Sequence, residues 1–231
     1  MALYQVDRGV EAYPPFPQEH HGIVWRQLDE RDLHALSALF ARMEARDNPT
    51  YRTALAEVGE MLSPASLWWG IAAFATKGIA QGRMVAFAQT RLRFSERIEC
   101  VCQGGVDPDF RRIGLGSSLL EWQIAAARSM LERNEDNGQR AIVSFVENWQ
   151  DELENALKAR GFHWERTYYD LRAKLDPLPQ APSLGSYMTI EQWSPSWDDE
   201  LRRAANLIAQ QQGRAALTEE QWTMGRSSFA P

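Results

Sequence analysis

A mixed α/β fold, with a mostly antiparallel sheet flanked by helices and a helical C-terminal extension, is what this sequence predicts. Three observations carry that expectation. Apolar residues recur at three-and-four spacing between residues 30 and 62, strict alternation takes over between residues 67 and 106, and helical patterns then alternate with short apolar runs up to residue 175.

Residues 1–21 mix Pro14, Pro15 and Pro17 with charges, show no period, and read as an arm that orders on contact. Ile23 to Leu28 is expected to be a short strand. Asp29 stands where an N-cap belongs, ahead of a helix from about Glu30 to Arg46 whose apolar face is Leu33, Leu36, Leu39, Phe40 and Met43. A second helix is expected from about Tyr51 to Leu62, with Pro64 as its stop. Leu67 to Thr76 and Arg83 to Phe94 then form a hairpin around Gly78 and Gly82, and Met84, Ala86, Ala88, Thr90 and Leu92 alternate with Val85, Phe87, Gln89, Arg91 and Arg93. A third strand, Arg97 to Val106, follows a turn at Ser95 and Glu96. Its Gly104 and Gly105 predict either a bulge or a close backbone approach.

After the loop Asp107 to Gly114, a helix from Leu115 presents the stripe Leu115, Leu119, Trp122, Ala126 and Met130, with Gly138 in the turn behind it. Ala141 to Val146 is a buried strand. A helix from about Trp149 to Arg160 buries Leu153, Ala156 and Leu157 and stops at Gly161, a residue suited to a left-handed cap. Thr167 to Leu175 alternates again, with Tyr169, Leu171, Ala173 and Leu175 on one face, and closes a first domain at residues 22–175.

Pro177, Pro179 and Pro182 make residues 176–186 a stiff linker. Beyond it a strand at Tyr187 to Gln192, an amphipathic helix at Trp197 to Gln212 and a helix start at Thr218, Glu219 and Glu220 repeat the opening of the first domain. Residues 187–231 are therefore expected to be a second domain, begun and not finished. Trp193, Trp197, Trp222, Leu201, Leu207, Ile208 and Leu217 give this tail apolar surface without a sheet of its own, which predicts packing on the first domain, on a missing portion, or on a second copy as a homodimer.

Composition excludes several function classes. The 231 residues are 44% hydrophobic and 24% charged, which fits an ordinary globular core. With 25 Lys plus Arg against 31 Asp plus Glu, the net charge of −6 repels phosphate polymers and anionic bilayers, so neither nucleic acid nor a membrane is the expected partner. The longest apolar stretch, Leu67 to Thr76, is far short of the roughly 20 residues of a membrane span. Asp7, Arg8 and Glu11 stand where a signal peptide has its apolar core, and Cys100 and Cys102 are too close and too few for a disulfide framework. A cytoplasmic location follows. His20, His21, His34 and His163 fall in none of the usual metal-binding spacings, and no metal is expected.

The chemically informative segment is VDPDFRRIGLG, Val106 to Gly116. Arg111, Gly114 and Gly116 form an RxxGxG loop between a strand and a helix, which can turn successive backbone amides toward an anion at the positive end of the helix. A tight strand-to-helix turn is the plainer alternative. No GxxxxGK precedes Ser117, and Leu119 stands where a dinucleotide fingerprint needs glycine, so nucleotide hydrolysis and hydride transfer lose ground.

Over residues 22–175 the sequence resembles the GNAT superfamily of N-acetyltransferases, which use acetyl-coenzyme A. The resemblance rests on the element order, on VDPDFRRIGLGSSLL, and on Asn148 followed by a helix that ends in Gly161-Phe162. The linker and tail, LDPLPQAPSLGSYMTIEQW and ALTEEQW, resemble the junction in tandem members of the mycothiol synthase type. The resemblance implies an acetyl-coenzyme A-dependent transfer to the amine of a small molecule, or, as the alternative, an idle coenzyme-binding half of a tandem protein. It assigns coenzyme binding to Val106, Arg111, Arg112, Ile113, Gly114, Leu115, Gly116, Ser117 and Asn148. For Asn148 the alternative is an N-cap for the helix at Trp149. The general base falls to Glu99, with Gln103 on the same face, against the alternative of a solvated sheet-edge carboxylate. The usual tyrosine acid is replaced by Leu157, and Tyr168 and Tyr169 read as strand residues. Trp68 and Trp69 are read mainly as core with an option on the acceptor cleft.

Overall fold

A computed structural model of the chain describes residues 13–19, 22–64, 66–94, 97–133 and 139–169, then 171, 173–174, 176–177, 180, 185–192, 194–212, 216–219 and 222. Most of the N-terminal arm, the Ser95–Glu96 turn, Gly138, Trp193 and much of the Pro-rich linker lie outside the described residues. Five strands, β1 (Ile23–Gln27), β2 (Trp68–Ala75), β3 (Met84–Phe94), β4 (Ile98–Val106) and β5 (Arg140–Ser144), form one sheet in sequence order. The first three pairings are antiparallel, and β5 joins β4 in parallel. Among the described residues the α-helices are α1 (Leu33–Asp47), α2 (Leu55–Met61), α3 (Leu115–Glu132), α4 (Asp151–Lys158) and α5 (Asp198–Gln211).

The predicted alternation becomes two faces of one sheet. On one face Ile23, Trp25, Trp69, Ile71, Ala86, Ala88, Cys100 and Cys102 pack against Leu115, Leu119, Trp122, Ala126 and Met130 of α3. On the other, Ala72, Met84 and Phe87 pack against Leu36, Leu39 and Phe40 of α1 and Val58 of α2. Truncating a fully buried side chain of this size, such as Phe87, costs about 3–5 kcal/mol. Asp29 caps the turn into α1 as expected: its carboxylate accepts from the Arg31 N–H at 2.9 Å, and its own N–H donates to Asp32 at 3.0 Å. Arg26 closes the unit with two bonds to Asp32. From the arm, Tyr13 stacks 4.8 Å from Trp69, and its hydroxyl accepts the Gly70 N–H at 3.1 Å.

Gly104 and Gly105 make close approaches and no bulge. The β3–β4 register runs unbroken from Ala86↔Val106 to Phe94↔Ile98, and the register shift lies between β2 and β3, where Ala73 and Phe74 face Ala86 and Met84 and Val85 of β3 is the extra residue. A Cβ on Gly104 would stand 2.9 Å from the Phe87 carbonyl oxygen, and one on Gly105 would overlap Met43 Sδ.

Two expected strands do not form. Among the described residues of 167–175 none is in a strand, and Tyr168, Tyr169 and Leu171 are exposed. Alternation alone does not make a strand; without a laddered neighbour its N–H and C=O groups go to water. Tyr187–Gln192 likewise carries no strand, and Tyr187 and Ile190 are exposed. The tail helix does form as α5, with none of its residues buried, and Trp222 Nε1 donates to Asp198 at 2.7 Å. No described helix is long and apolar enough to cross a membrane.

Candidate functional site

Between β4 and α3 the chain turns twice within a few residues. Asp107 caps a short 3-10 turn, Pro108–Phe110, and accepts the Asp109 N–H at 3.1 Å. Arg112 and Gly114 then both take positive φ, 67° and 93°. Glycine at 114 makes the second of these cheap, and a Cβ at Gly114 or Gly116 would meet nothing within 4 Å. The first protein acceptance after these turns is Ser118 N–H to the Gly114 carbonyl, at 3.1 Å. The six N–H groups from Arg112 to Ser117 donate to no acceptor among the described residues. They sit at the positive end of an 18-residue helix, which makes an open anion cradle.

Beside the cradle the sheet opens. β5 pairs with β4 from Ile98↔Arg140 to Cys102↔Ser144, and beyond that β4 runs on to Val106 paired with β3 alone. Asp107 N–H donates to Val85 of β3, so by alternation Gly104 and Val106 turn their backbone groups toward the gap. The Val106 carbonyl accepts Arg111 Nε at 3.2 Å.

Neither loop arginine is a free cation. The Arg111 guanidinium forms a two-bond pair with Asp47 at the end of α1, at 2.7 and 2.6 Å, which raises its pKa further. Arg112 pairs with Glu152 of α4. Asp107 is 1% exposed and is held by Arg42 Nε at 2.6 Å, with Arg83 Nε at 3.6 Å. Sequence reading missed Arg42, Asp47 and Asp107, whose partners are as far as 65 residues away.

The regular β4 register also fixes the face of Glu99. Gly105 meets Met43 of α1, so Glu99, Val101 and Gln103 share the α1–α2 side while Cys100 and Cys102 face α3. Glu99 is partly buried and accepts Arg97 Nε at 3.1 Å; Arg97 also pairs with Glu165. Deeper on that face, Gln89 and Arg91 both donate to the Met61 carbonyl at 2.6 Å, and burial lowers the Arg91 pKa. Burial on the opposite face pushes the Cys102 thiol up to about 11 and that of Cys100 higher still.

A GCN5-related N-acetyltransferase from Sphaerobacter thermophilus superposes with a TM-score of 0.63 at 18% identity, over 93% of this chain and 65% of that one. The fold is that of the GCN5-related N-acetyltransferases. Matches to a GNAT-family acetyltransferase from Streptococcus pneumoniae (TM-score 0.48, 18% identity, 66% of this chain and 93% of that one) and to an aminoglycoside acetyltransferase from an uncultured soil metagenomic sample (0.46, 18%, 66% and 99%) are looser. No protein-family model and no curated protein matches the sequence.

In this GCN5-related fold several expected roles find different occupants. α4 begins at Asp151, so its N-cap is Gln150, and Asn148 is left exposed in the preceding turn instead of capping the helix. Gln150 Oε1 accepts the Glu147 N–H at 3.0 Å. Leu157 is 5% exposed and belongs to the core. Tyr168 lies beside the end of β5, its ring 6.1 Å from Phe145, and is not a strand residue. Trp69 is buried under α3, and Trp68 donates to the Ser63 carbonyl at 2.9 Å, on the α1–α2 face.

Proposed function

We propose that this chain is an acetyl-coenzyme A-dependent N-acetyltransferase acting on the amine of a small molecule. The observation that carries the reading is the set of six unclaimed N–H groups from Arg112 to Ser117, at the N-terminus of α3 and beside a sheet that opens past Cys102. The arrangement fits the coenzyme: amides converging at a positive helix end suit a diphosphate, and an unpaired strand edge suits an amide-bearing arm. The backbone of Arg112, Ile113, Gly114, Leu115, Gly116 and Ser117 would hold the diphosphate. Arg111 and Arg112 add positive charge nearby, each damped by its acidic partner. The backbone of Val106, with Gly104, would receive the arm, and Asn148 lies past the end of β5 to meet it. The coenzyme, when bound, supplies an acetyl group activated as a thioester.

The chain supplies orientation and proton transfer. In this reading Glu99, on the α1–α2 side and bound by Arg97, would attract an ammonium acceptor and take its proton.

Titration of the purified protein with coenzyme A in a calorimeter, beside a Gly114→Asp variant, tests the site. Binding by the parent and its loss in the variant is the expected result, because a carboxylate at 114 brings like charge to the cradle. No binding by the parent defeats the reading. Thiol release from acetyl-coenzyme A over an amine panel then separates the enzyme from an idle coenzyme-binding module.

A further inference from the structure

Asp47 sits in an electrostatically poor place. It is the last residue of α1, followed by Asn48 at φ 47°, and a carboxylate at a helix C-terminus opposes the helix dipole. What offsets this is the guanidinium of Arg111, which reaches across to take both Asp47 oxygens and at the same time donates Nε to the Val106 carbonyl. One turn earlier, α1 contributes a pair of opposite sense. Arg42 Nε binds the buried Asp107 carboxylate at 2.6 Å, and its other nitrogens bind the carbonyls of Met84 and Ala38 at 2.7 and 2.9 Å. Between the two, Met43 fills the space over Gly105. The loop from Asp107 to Arg111 is thus pinned to one helix at both ends, by two ion pairs whose polarities are crossed.

We propose that Asp47 is a positioning residue for the cradle: the Asp47–Arg111 pair, with Arg42–Asp107 as its counterpart, holds the loop in the shape that turns the six amides the same way. This rests on the coenzyme reading of the loop. Arg111 then acts as a strut between α1 and the loop, and its charge reaches the diphosphate only after Asp47 has neutralised most of it. Because α1 also covers the Glu99 face, the same strut ties the donor loop to the acceptor side.

Two measurements on the intact protein test the clamp. In the coenzyme-free protein, Asp47→Asn is expected to speed hydrogen exchange at the amides of Asp107, Asp109, Phe110 and Ser118, all hydrogen-bonded in the folded loop, while amides of β2 and β3 keep their rates. In the calorimeter, Asp47→Asn is expected to weaken coenzyme A binding about tenfold, the size of one lost charge-assisted pair. Asp47→Arg alone weakens binding further by setting cation against cation, and combining it with Arg111→Asp recovers most of the loss, a coupling that general damage to the fold does not produce. Unchanged exchange, or a double variant no better than the worse single, overturns the clamp. Faster exchange with unchanged coenzyme affinity overturns its positioning role. Faster exchange in a protein whose parent takes no coenzyme A leaves the clamp standing and defeats the coenzyme reading instead.

Discussion

Gly104 and Gly105 give the sharpest test of which way β4 faces, and with it of whether Glu99 looks toward the α1–α2 side. In Gly104→Ala the new methyl would stand 2.9 Å from the Phe87 carbonyl oxygen and 3.3 Å from Gln123 Nε2. That oxygen is backbone of the paired strand, so the strands must part or Gln123 must leave its bonds to Gln89 and Gln103. Overpacking of this kind costs about 1–3 kcal/mol, against a gain of about 0.5–1 for replacing a strand glycine by alanine. A net loss of about 1 kcal/mol follows, or a urea midpoint lower by about 0.5 M at a slope ordinary for this size. In Gly105→Ala the obstacle is the Met43 terminus, Sδ first and Cε at 2.8 Å, which can swing to another rotamer. The net change there is expected within about 1 kcal/mol of zero, and Met43→Ala in the same chain removes what penalty remains, leaving a coupling of about 1 kcal/mol between the two positions. Urea unfolding of the two glycine variants, Met43→Ala and the double variant supplies every term. A Gly104→Ala protein as stable as the parent, or no coupling between 105 and 43, refutes the face assignment, and Glu99 then loses its place opposite α1.

Two further predictions concern groups on opposite faces of β4. Glu99→Gln keeps the shape of the side chain and removes its basicity; once an acceptor amine is in hand, kcat is expected to fall about 100-fold or more with the KM for acetyl-coenzyme A unchanged, and an unaltered kcat removes Glu99 from the mechanism. The buried thiols of Cys100 and Cys102 hold their protons in the folded state to about 11 and beyond, whereas an unfolded chain releases them near about 8.5. Below that lower value the two states bind the same protons; above it the unfolded chain binds fewer, so stability falls as pH rises from about 8.5 through 11. Urea midpoints at intervals across that range, compared with a Cys100→Ala, Cys102→Ala double variant, measure the difference, and equal slopes in the two proteins would sink the argument.

Local chemistry was legible wherever the signal and its structural consequence lie within one turn or one hairpin. Asp29 two residues before the amide that donates to it, the alternation of β3, the stripe Leu115–Met130 and the glycines of RxxGxG all state their structural role within a few residues. Element ends slip where a cap competes: α4 starts at Asp151 because Gln150 and Glu147 satisfy each other first, so the Asn148 cap was misplaced. Thr167 to Leu175 has the alternation of a strand and lacks the ladder, since alternation prescribes faces and says nothing of a neighbour.

The site divides along the same line. Its amides were readable because a glycine at φ 93° and a helix start are properties of a short segment. What holds those amides in place was not, because Asp47 and Arg42 look from sequence like the solvated side of an amphipathic helix, and only the tertiary fold brings them to partners 64 and 65 residues away. One sequence signal does survive in retrospect. A carboxylate on the last turn of a helix is unfavourable alone, and it becomes intelligible when the opposite charge stands on the other segment. In the proposed clamp the arginine of RxxGxG is the end of a strut, because its guanidinium is taken up by Asp47 and the Val106 carbonyl. On the proposed reading, the loop's anion site is made of backbone, and its side chains serve to keep that backbone in shape.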